Sequence, residues 1–178
     1  MKLLIQEAFS KRMLSDGGLA DRLNGRFRVD STAWSILLLF AAGESGDWLE
    51  LSRARLRSEQ GDDGRVWMSR EHPASYWPTP LAILAWQNSS ASQVAQGRAV
   101  HFLLGTSGVH FPRKADAPWA HDTVLKGWPW IGGTHSWIEP TALAVIALKA
   151  TGYGQHERVR EAIRMMLDRQ LPHGGWNY

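Results

Sequence analysis

The feature that most constrains the fold of this chain is a sequence unit that occurs three times. Each copy begins an apolar segment with a threonine as its third residue, at residues 30–33 (DSTA), 77–80 (WPTP) and 139–142 (EPTA). A charged segment follows, and in the first and third copies it ends in Gln, Gly and Trp within residues 60–67 and 170–176. A repeat of about 20 to 50 residues indicates supersecondary units that stack and share one core.

Each unit is predicted to contain two helices, because its apolar residues recur at helical spacing. The first helix is apolar on nearly every side, as is typical of a helix surrounded by protein, and the second carries the charges of a half-exposed helix. The predicted inner and outer helices are 33–42 with 47–58, 78–87 with 92–104, and 140–151 with 156–169. An N-terminal helix is predicted over 2–14, followed by a linker over 19–29.

Because strand patterns are nearly absent, these units predict an all-α fold of three helix hairpins plus the N-terminal helix. Hairpins laid side by side curve, so the expected architecture is a partial α/α toroid with the inner helices on its concave wall. An incomplete ring exposes apolar faces, and we expect a homo-oligomer or the remainder of a longer protein to complete it. The divisions predicted for this single domain, residues 1–178, are 1–29, 30–67, 76–105, 106–136 and 137–178.

Composition excludes several classes of function. The net charge is only +3 and the basic residues form no run, which argues against a nucleic-acid partner. The longest apolar run, residues 36–42, is too short to span a membrane, so a cytoplasmic location is expected. The chain has no cysteine, which removes disulfides and thiolate metal ligands.

The helix pair, its Gln-Gly-Trp ending and the threonine that begins the apolar helix together resemble the prenyltransferase and squalene-oxidase repeat. This repeat forms the α/α toroids of terpenoid cyclases and of protein prenyltransferase β-subunits. The resemblance covers residues 30–67 and 137–178 well and 76–105 loosely, and it is closest to uncharacterised bacterial members. It implies an isoprenoid or similarly apolar ligand.

The zinc site of protein prenyltransferases uses Asp, Cys and His, so this chain without cysteine cannot assemble it. The histidines of residues 106–136, His110, His121 and His135, match no metal-ligand spacing either. No cofactor and no metal site are therefore predicted.

The Gln-Gly-Trp ending predicts a structural clamp formed by Gln60 with Trp67 and by Gln170 with Trp176. The glutamine can bond backbone groups left unpaired at helix ends. Glycine favours the left-handed conformation that ends a helix, and the indole can pack back onto the helix pair. The separation from Thr32 to Trp67 equals that from Thr141 to Trp176, which predicts equivalent positions for the two tryptophans.

Two carboxylates are candidate catalytic acids because they precede the threonines. Class II terpene cyclases carry an Asp-x-Asp-Asp-Thr-Ala motif whose central Asp protonates the substrate, and that position falls on Glu139. Pro140 and Trp137 stand where the two supporting aspartates would be, so the resemblance implies at most a squalene-cyclase-like isomerase or lyase with a degenerate acid motif. Asp30 occupies the equivalent place in the first unit. The alternative is helix capping, with Ser136 and Glu139 as a capping box and Asp30 as an N-cap.

Residues 106–136 form a long connection rich in Trp, Gly and Pro. Such connections are usually functional or disordered, and their aromatic content argues against disorder. Aromatic walls suit an isoprenoid or similar ligand, although the rings could instead fill the end of the barrel. The candidate substrate-binding residues are Trp77, Trp119, Trp128, Trp130, His135 and Trp137.

Two functional hypotheses follow. The first is a terpenoid cyclase or prenyltransferase-like protein that binds or transforms a polyprenyl or triterpenoid substrate. The second is a non-catalytic α/α repeat scaffold or binding module for a peptide, a lipid or a partner subunit. The degenerate acid motif argues against the first, and the collection of tryptophans argues against a purely structural scaffold.

Overall fold

A computed structural model describes residues 9–113, 116 and 121–176. In these residues the secondary structure is helical, without a β-strand, which confirms the all-α prediction. The helices lie within a few residues of the positions predicted from the sequence. They are α1 (Val29–Ala41), α2 (Asp47–Arg57), α3 (Pro78–Ala85), a short 3-10 helix (Ser90–Ser92), α4 (Gln93–Gly105), α5 (Ile138–Ala150) and α6 (Glu157–Asp168).

The six α-helices form two layers. The inner helices α1, α3 and α5 stand in a row in which α3 packs against both of its neighbours. The outer helices α2, α4 and α6 each pack on the inner helix of the same unit. This arrangement matches the predicted hairpins, whereas the closing of such a row into a toroid stays a prediction.

The position of a helix in the row decides how much of it is buried. The α3 helix begins with Pro78 and Pro80 in its first turn, where proline is tolerated, and it is buried almost throughout. In contrast, α1 exposes Trp34, Leu38 and Phe40 by 52%, 48% and 44%. The prediction that the first inner helix is surrounded by protein is therefore wrong, because in the described residues only α3 packs against it from within the row.

A seven-residue closing turn recurs at residues 13–19, 60–66 and 170–176. In each turn the first and last residues form an antiparallel bridge: Met13 with Leu19, Gln60 with Val66, and Gln170 with Trp176. The second residue donates its N–H to the carbonyl of the sixth at 2.8–3.1 Å. The fifth residue is a glycine at a φ of 83°, 90° and 86°, the left-handed region that glycine adopts readily.

The turn at 13–19 corrects the end of the N-terminal helix predicted over 2–14. Residues 1–8 lie outside the described residues, and the described helical part is residues 9–10. The chain then turns, and Met13 pairs with Leu19 instead of continuing a helix. The signal in the sequence is the pair Gly17-Gly18, which matches Gly174-Gly175 in the third turn.

A buried threonine fixes each inner helix to the end of the closing turn that precedes it. Thr32, Thr79 and Thr141 are all fully buried. Each hydroxyl accepts the backbone N–H of the residue thirteen positions earlier: Leu19 at 2.9 Å, Val66 at 3.0 Å and Trp128 at 2.9 Å. The threonine is therefore repeated because it provides the hydrogen bond that places each leader segment, residues 20–28, 67–77 and 129–137, over its inner helix.

The connection over residues 106–136 is a closing turn interrupted by an insertion. Gly108 donates its N–H to the carbonyl of Gly127 at 3.0 Å, which is the bond that Gly61 makes to Arg65 at 2.8 Å. Residues 109–126 therefore occupy the place of residues 62–64 in the closing turn at 60–66. The rest of the connection is an ordinary leader segment, since Trp128 lies thirteen residues before Thr141 as Val66 does before Thr79.

The turns at 13–19 and 60–66 and the interrupted turn each pack against the outer helix that follows. Ser52 of α2 donates to the carbonyl of Gly17 at 2.7 Å, and Gln60 donates to the carbonyl of Ala95 in α4 at 2.8 Å. Arg158 of α6 donates to the carbonyl of Thr106 at 3.1 Å. Turns, leaders and outer helices thus form one continuous set of contacts along the row.

No helix in the described part of the chain is both long and apolar enough to cross a lipid bilayer.

Candidate functional site: a cavity under the insertion

The described part of the insertion, residues 109–113, 116 and 121–126, folds back on itself and onto the third unit. Phe111 donates its N–H to the carbonyl of Thr123 at 3.1 Å, and the Thr123 hydroxyl donates to the carbonyl of Phe111 at 3.0 Å. Val109 donates its N–H to the carbonyl of Thr134 at 2.9 Å. These bonds hold the insertion against the leader segment of α5.

The end of α6 anchors the second half of the insertion, residues 121–126. The carboxylate of Asp168 accepts the backbone N–H of Asp122 at 2.6 Å. Asp122 in turn forms an ion pair with Arg113 and accepts the N–H of Val124 at 3.1 Å. The hydrogen bond from Arg113 keeps the pKa of Asp122 below its usual range. The insertion is therefore connected to the leader of α5 and to the end of α6.

An open cavity of about 330 Å³ lies between these three parts. This volume is at the lower end of the roughly 300–1,000 Å³ of small-molecule sites. We call it the insertion cavity, and its lining side chains are Val109, Phe111, His121 and Thr123 from the insertion, His135 and Trp137 from the leader, and Arg169 directly after α6.

The aromatic wall of the cavity is a stacked pair. The rings of His135 and Trp137 lie 4.6 Å apart with an angle of 30° between their planes. Two residues separated by one position share a face in extended backbone, and Trp137 is extended with a φ of −117° and a ψ of 155°. The wall is thus positioned by the start of α5, which Trp137 immediately precedes.

Arg169 provides a buried positive charge at the cavity. Its side chain donates to the carbonyl of Ser136 at 2.6 Å, which ties the end of α6 to the leader of α5. The residue is only 6% exposed. Its guanidinium stays protonated in proteins, so the cavity carries a permanent positive charge.

His121 lies in the same electrostatic environment. Burial lowers its pKa, and the nearby charges of Arg169 and of His135 lower it further. The carboxylates of Asp168 and Asp122 act in the opposite direction without reversing the shift. The imidazole of His121 is therefore neutral at pH 7, and an anion placed beside it would favour its protonation.

Of the predicted substrate-binding residues that the structure describes, two line the insertion cavity, His135 and Trp137. Trp119 lies outside the described residues. Trp128 belongs to the core: it is 1% exposed, its indole donates to the carbonyl of Leu103 at 2.9 Å, and the guanidinium of Arg158 lies 4.8 Å from its ring. The prediction that Trp128 belongs to a ligand-binding wall is therefore wrong, because Trp128 takes the buried position that Val66 has in the previous unit.

Trp77 and Trp130 form a separate pair. Their rings meet edge to face at 5.7 Å, where the leader of α5 runs beside the residues that precede α3. Backbone bonds fix this contact, since Tyr76 donates its N–H to the carbonyl of Trp130 at 2.9 Å. The pair joins the second unit to the third and is not part of the lining of the insertion cavity.

Neither candidate acid is a helix cap. The α1 helix begins at Val29 with Arg28 as its N-cap, so Asp30 lies one residue inside the helix and the predicted N-cap is wrong. The α5 helix has Trp137 as its N-cap and no side-chain cap. The Ser136 hydroxyl instead accepts the N–H of Gly127 at 2.9 Å, so the predicted capping box with Glu139 is also wrong.

The surroundings of these acids do not favour proton donation. Arg28 binds both carboxylate oxygens of Asp30, at 2.9 and 2.7 Å. Burial would raise the pKa of Asp30, but this hydrogen bond and the N–H of Ser31 outweigh it, and the pKa is lowered. Asp30 is therefore ionised at neutral pH. Glu139 is exposed in the first turn of α5.

The clamp residues lie at the closing turns, but the two tryptophans are not equivalent. The bridges pair Gln60 with Val66 and Gln170 with Trp176, so Val66, not Trp67, holds the position of Trp176. The equal separations in the sequence are therefore coincidental. The amide of Gln60 donates to the carbonyl of Gly64 at 2.9 Å, inside its own turn.

The two indoles bond to different partners. Trp67 donates to the carboxylate of Glu59 at 3.3 Å, and Trp176 donates to the carbonyl of Met166, in the last turns of α6, at 2.9 Å. Val66 is fully buried, whereas Trp176 is 50% exposed. The closing turn at 170–176 therefore has the backbone geometry of the turns at 13–19 and 60–66 but a more exposed final side chain.

Among the described residues, no group of three or more His, Asp or Glu side chains is placed to hold a metal ion. No protein-family model matches the chain, and no curated protein is significantly similar to it. The likeness to the prenyltransferase and squalene-oxidase repeat thus stays a prediction.

Proposed function

We propose that this chain is a non-enzymatic α/α repeat module that binds a small apolar molecule in the insertion cavity. The observation that carries this proposal is the replacement of a three-residue turn by residues 109–126, whose side chains line most of the cavity. Proteins commonly place binding sites on loops that a rigid scaffold holds in position. The regular repeat is the scaffold here, and the insertion is the added element.

The acids at the starts of the inner helices favour binding over alkene protonation. Asp30 is held as a carboxylate by Arg28 and has no proton to give at neutral pH. Glu139 faces solvent, whereas protonation of an alkene requires a site from which water is excluded. A short isoprenoid alcohol is a ligand of the kind that the resemblance to terpenoid cyclases implies.

Binding of geraniol to the purified chain, measured by calorimetry, tests the proposal. Trp137→Leu removes the stacked wall and is expected to weaken binding about tenfold or more, equivalent to about 1.4 kcal/mol. Trp34→Leu is the matched control, because that ring is exposed on α1 at the far end of the row. Equal binding by the wild type and both variants would refute the assignment of the cavity.

The exposed closing turn at 170–176 supports a second function, the docking of a further repeat unit. Met166, Leu167, Leu171 and Trp176 form an apolar end of the third unit, and Leu167 is 64% exposed. In the first unit the equivalent turn is covered by the next outer helix through Gln60 and Ala95. Sedimentation at rising concentration tests self-association through this end. Leu167→Glu should abolish it, and Val94→Glu, at an exposed site on α4, should not.

A further inference from the structure

The insertion cavity is divided chemically into an apolar part and a basic part. Val109 and Phe111 are 42% and 55% exposed around it, and Trp137 continues the apolar surface. Exposed apolar side chains that converge on one cavity indicate a ligand with an apolar body.

The polar groups of the cavity are basic. His121, His135 and Arg169 line it, and its described lining includes no carboxylate. The guanidinium of Arg169 is held in place by its bond to the carbonyl of Ser136, at 2.6 Å. A fixed positive charge at a partly enclosed site is favourable for an anion, since the charge cannot be fully screened by water there.

Two carboxylates lie near the cavity but are not part of its lining. Asp122 is paired with Arg113 on the outer side of the insertion. Asp168 accepts the N–H of Asp122 at 2.6 Å. The groups that face His121 are therefore His135 from the leader, Arg169 and Asp168 from the end of α6, and Asp122 from its own segment. Among the described residues that line the cavity, Arg169 is the one with a fixed charge.

We infer that the insertion cavity recognises a small amphipathic carboxylate, with its apolar body against Phe111 and Trp137 and its anionic group at His121, His135 and Arg169. This inference rests on the proposed function and specifies its ligand class. The buried arginine supplies the charge, and the two imidazoles supply hydrogen-bond donors. A medium-length chain suits a cavity of about 330 Å³.

The test compares decanoate with decan-1-ol, which share an apolar chain and differ in charge. The wild type is expected to bind decanoate at least tenfold more tightly. Decanoate binding should also take up protons near pH 7, detected as a binding enthalpy that depends on the ionisation enthalpy of the buffer. Proton uptake is expected because the carboxylate raises the pKa of His121, which burial and Arg169 lower in the free protein.

His121→Gln is expected to reduce decanoate affinity and remove the proton uptake, while leaving decanol binding unchanged. His101→Gln is the matched control, since His101 is exposed on α4. Arg169→Lys keeps the charge and should retain the preference for decanoate, which separates charge from folding effects at this buried position. Equal affinities for the acid and the alcohol would overturn the inference and leave the proposed function standing. If neither compound bound and geraniol did not bind either, the inference and the proposed function would both be overturned.

Discussion

The hydroxyl of Thr141 accepts the backbone N–H of Trp128 at 2.9 Å and donates to the carbonyl of the same residue at 3.3 Å. Thr79 makes the same two bonds to Val66, at 3.0 and 3.3 Å. One hydroxyl thus bonds both backbone groups of a buried residue, and unpaired backbone groups are costly to bury. The carbonyl of Trp128 also accepts the N–H of Trp137, at 3.1 Å, so the hydroxyl matters most for the N–H. This relationship explains why the threonine recurs although the residues on either side of it change.

Replacing Thr141 with valine is expected to destabilise the fold by about 1–3 kcal/mol, because the N–H of Trp128 would be buried without a partner. The carbonyl of Trp128 would keep its bond from the N–H of Trp137, at 3.1 Å. Valine keeps the shape of threonine, so the loss reports the hydrogen bonds rather than packing. Urea unfolding measures the change. Thr134→Val is the control, since Thr134 is exposed and its hydroxyl donates to the carbonyl of Ile131 within its own turn. A loss of the same size in both variants would contradict this role of Thr141.

The two glycines Gly64 and Gly174 offer a matched test of how closing turns dock on outer helices. Both have a left-handed backbone, with φ of 90° and 86°, so alanine costs conformational strain of roughly 1–2 kcal/mol at either position. A Cβ at Gly64 would lie 2.3 Å from the carbonyl oxygen of Arg98 in α4, whereas at Gly174 it would meet open space. Gly64→Ala is therefore expected to lower the melting temperature clearly more than Gly174→Ala. Similar losses would show that the turn at 60–66 is not tightly docked.

The helices of the repeat could be predicted from the sequence, because apolar spacing directly reports which side of a helix is buried. The exposure of Trp34 on α1 could not, since it depends on the neighbours of the helix in the row and not on its composition. The closing turn at 13–19 was missed because Met13 replaces the glutamine and Leu19 replaces the tryptophan, so that of the Gln-Gly-Trp pattern only the pair Gly17-Gly18 matches the turn at 170–176. Its equivalence appears once backbone bonds are compared.

The candidate site, too, could be predicted from the sequence only in part. The Trp-rich connection indicated the right region, and His135 and Trp137 do line the insertion cavity. Trp128 is instead buried in the core, because its backbone bonds to Thr141 fix it in a repeated core position that tryptophan content alone cannot reveal. Arg169 was missed, since it is distant from the insertion in sequence and reaches the cavity through its bond to the carbonyl of Ser136. That contact has no local sequence signal.

The ion pair between Arg28 and Asp30 predicts a pH dependence of stability. The pKa of Asp30 is lower in the folded protein than its ordinary value of 3.8. A carboxylate with a lowered pKa contributes stability that is present above the unfolded pKa and is lost as the pH falls through the folded value. The wild type should therefore lose this contribution only below about pH 4, and Asp30→Asn should lack it at pH 7. Unfolding curves from pH 7 to pH 3 that fall in parallel for both proteins would contradict the assignment.

Glu139→Gln is expected to leave the fold nearly unchanged. Glu139 is exposed and α5 has no side-chain cap, so the substitution removes only a favourable interaction with the helix dipole, roughly 0.3–1 kcal/mol. Thermal unfolding measures the change, with Asp30→Asn as the comparison that loses an ion pair. Geraniol and decanoate binding should be unaffected. A large loss of stability would restore the capping role that the structure argues against.

Replacing residues 109–126 with the sequence of residues 62–64, Asp-Asp-Gly, is expected to keep the fold and abolish ligand binding. The shortened turn can close because Gly108 already donates to Gly127 as Gly61 does to Arg65. Loop shortening favours folding by a small entropic term, and the lost contacts with the leader of α5 oppose it, so the net change should stay within about 2 kcal/mol. Circular dichroism and cooperative unfolding test the fold, and calorimetry with decanoate tests the site. If the variant failed to fold, the insertion would be a structural part of the third unit, and retention of binding would locate the ligand elsewhere.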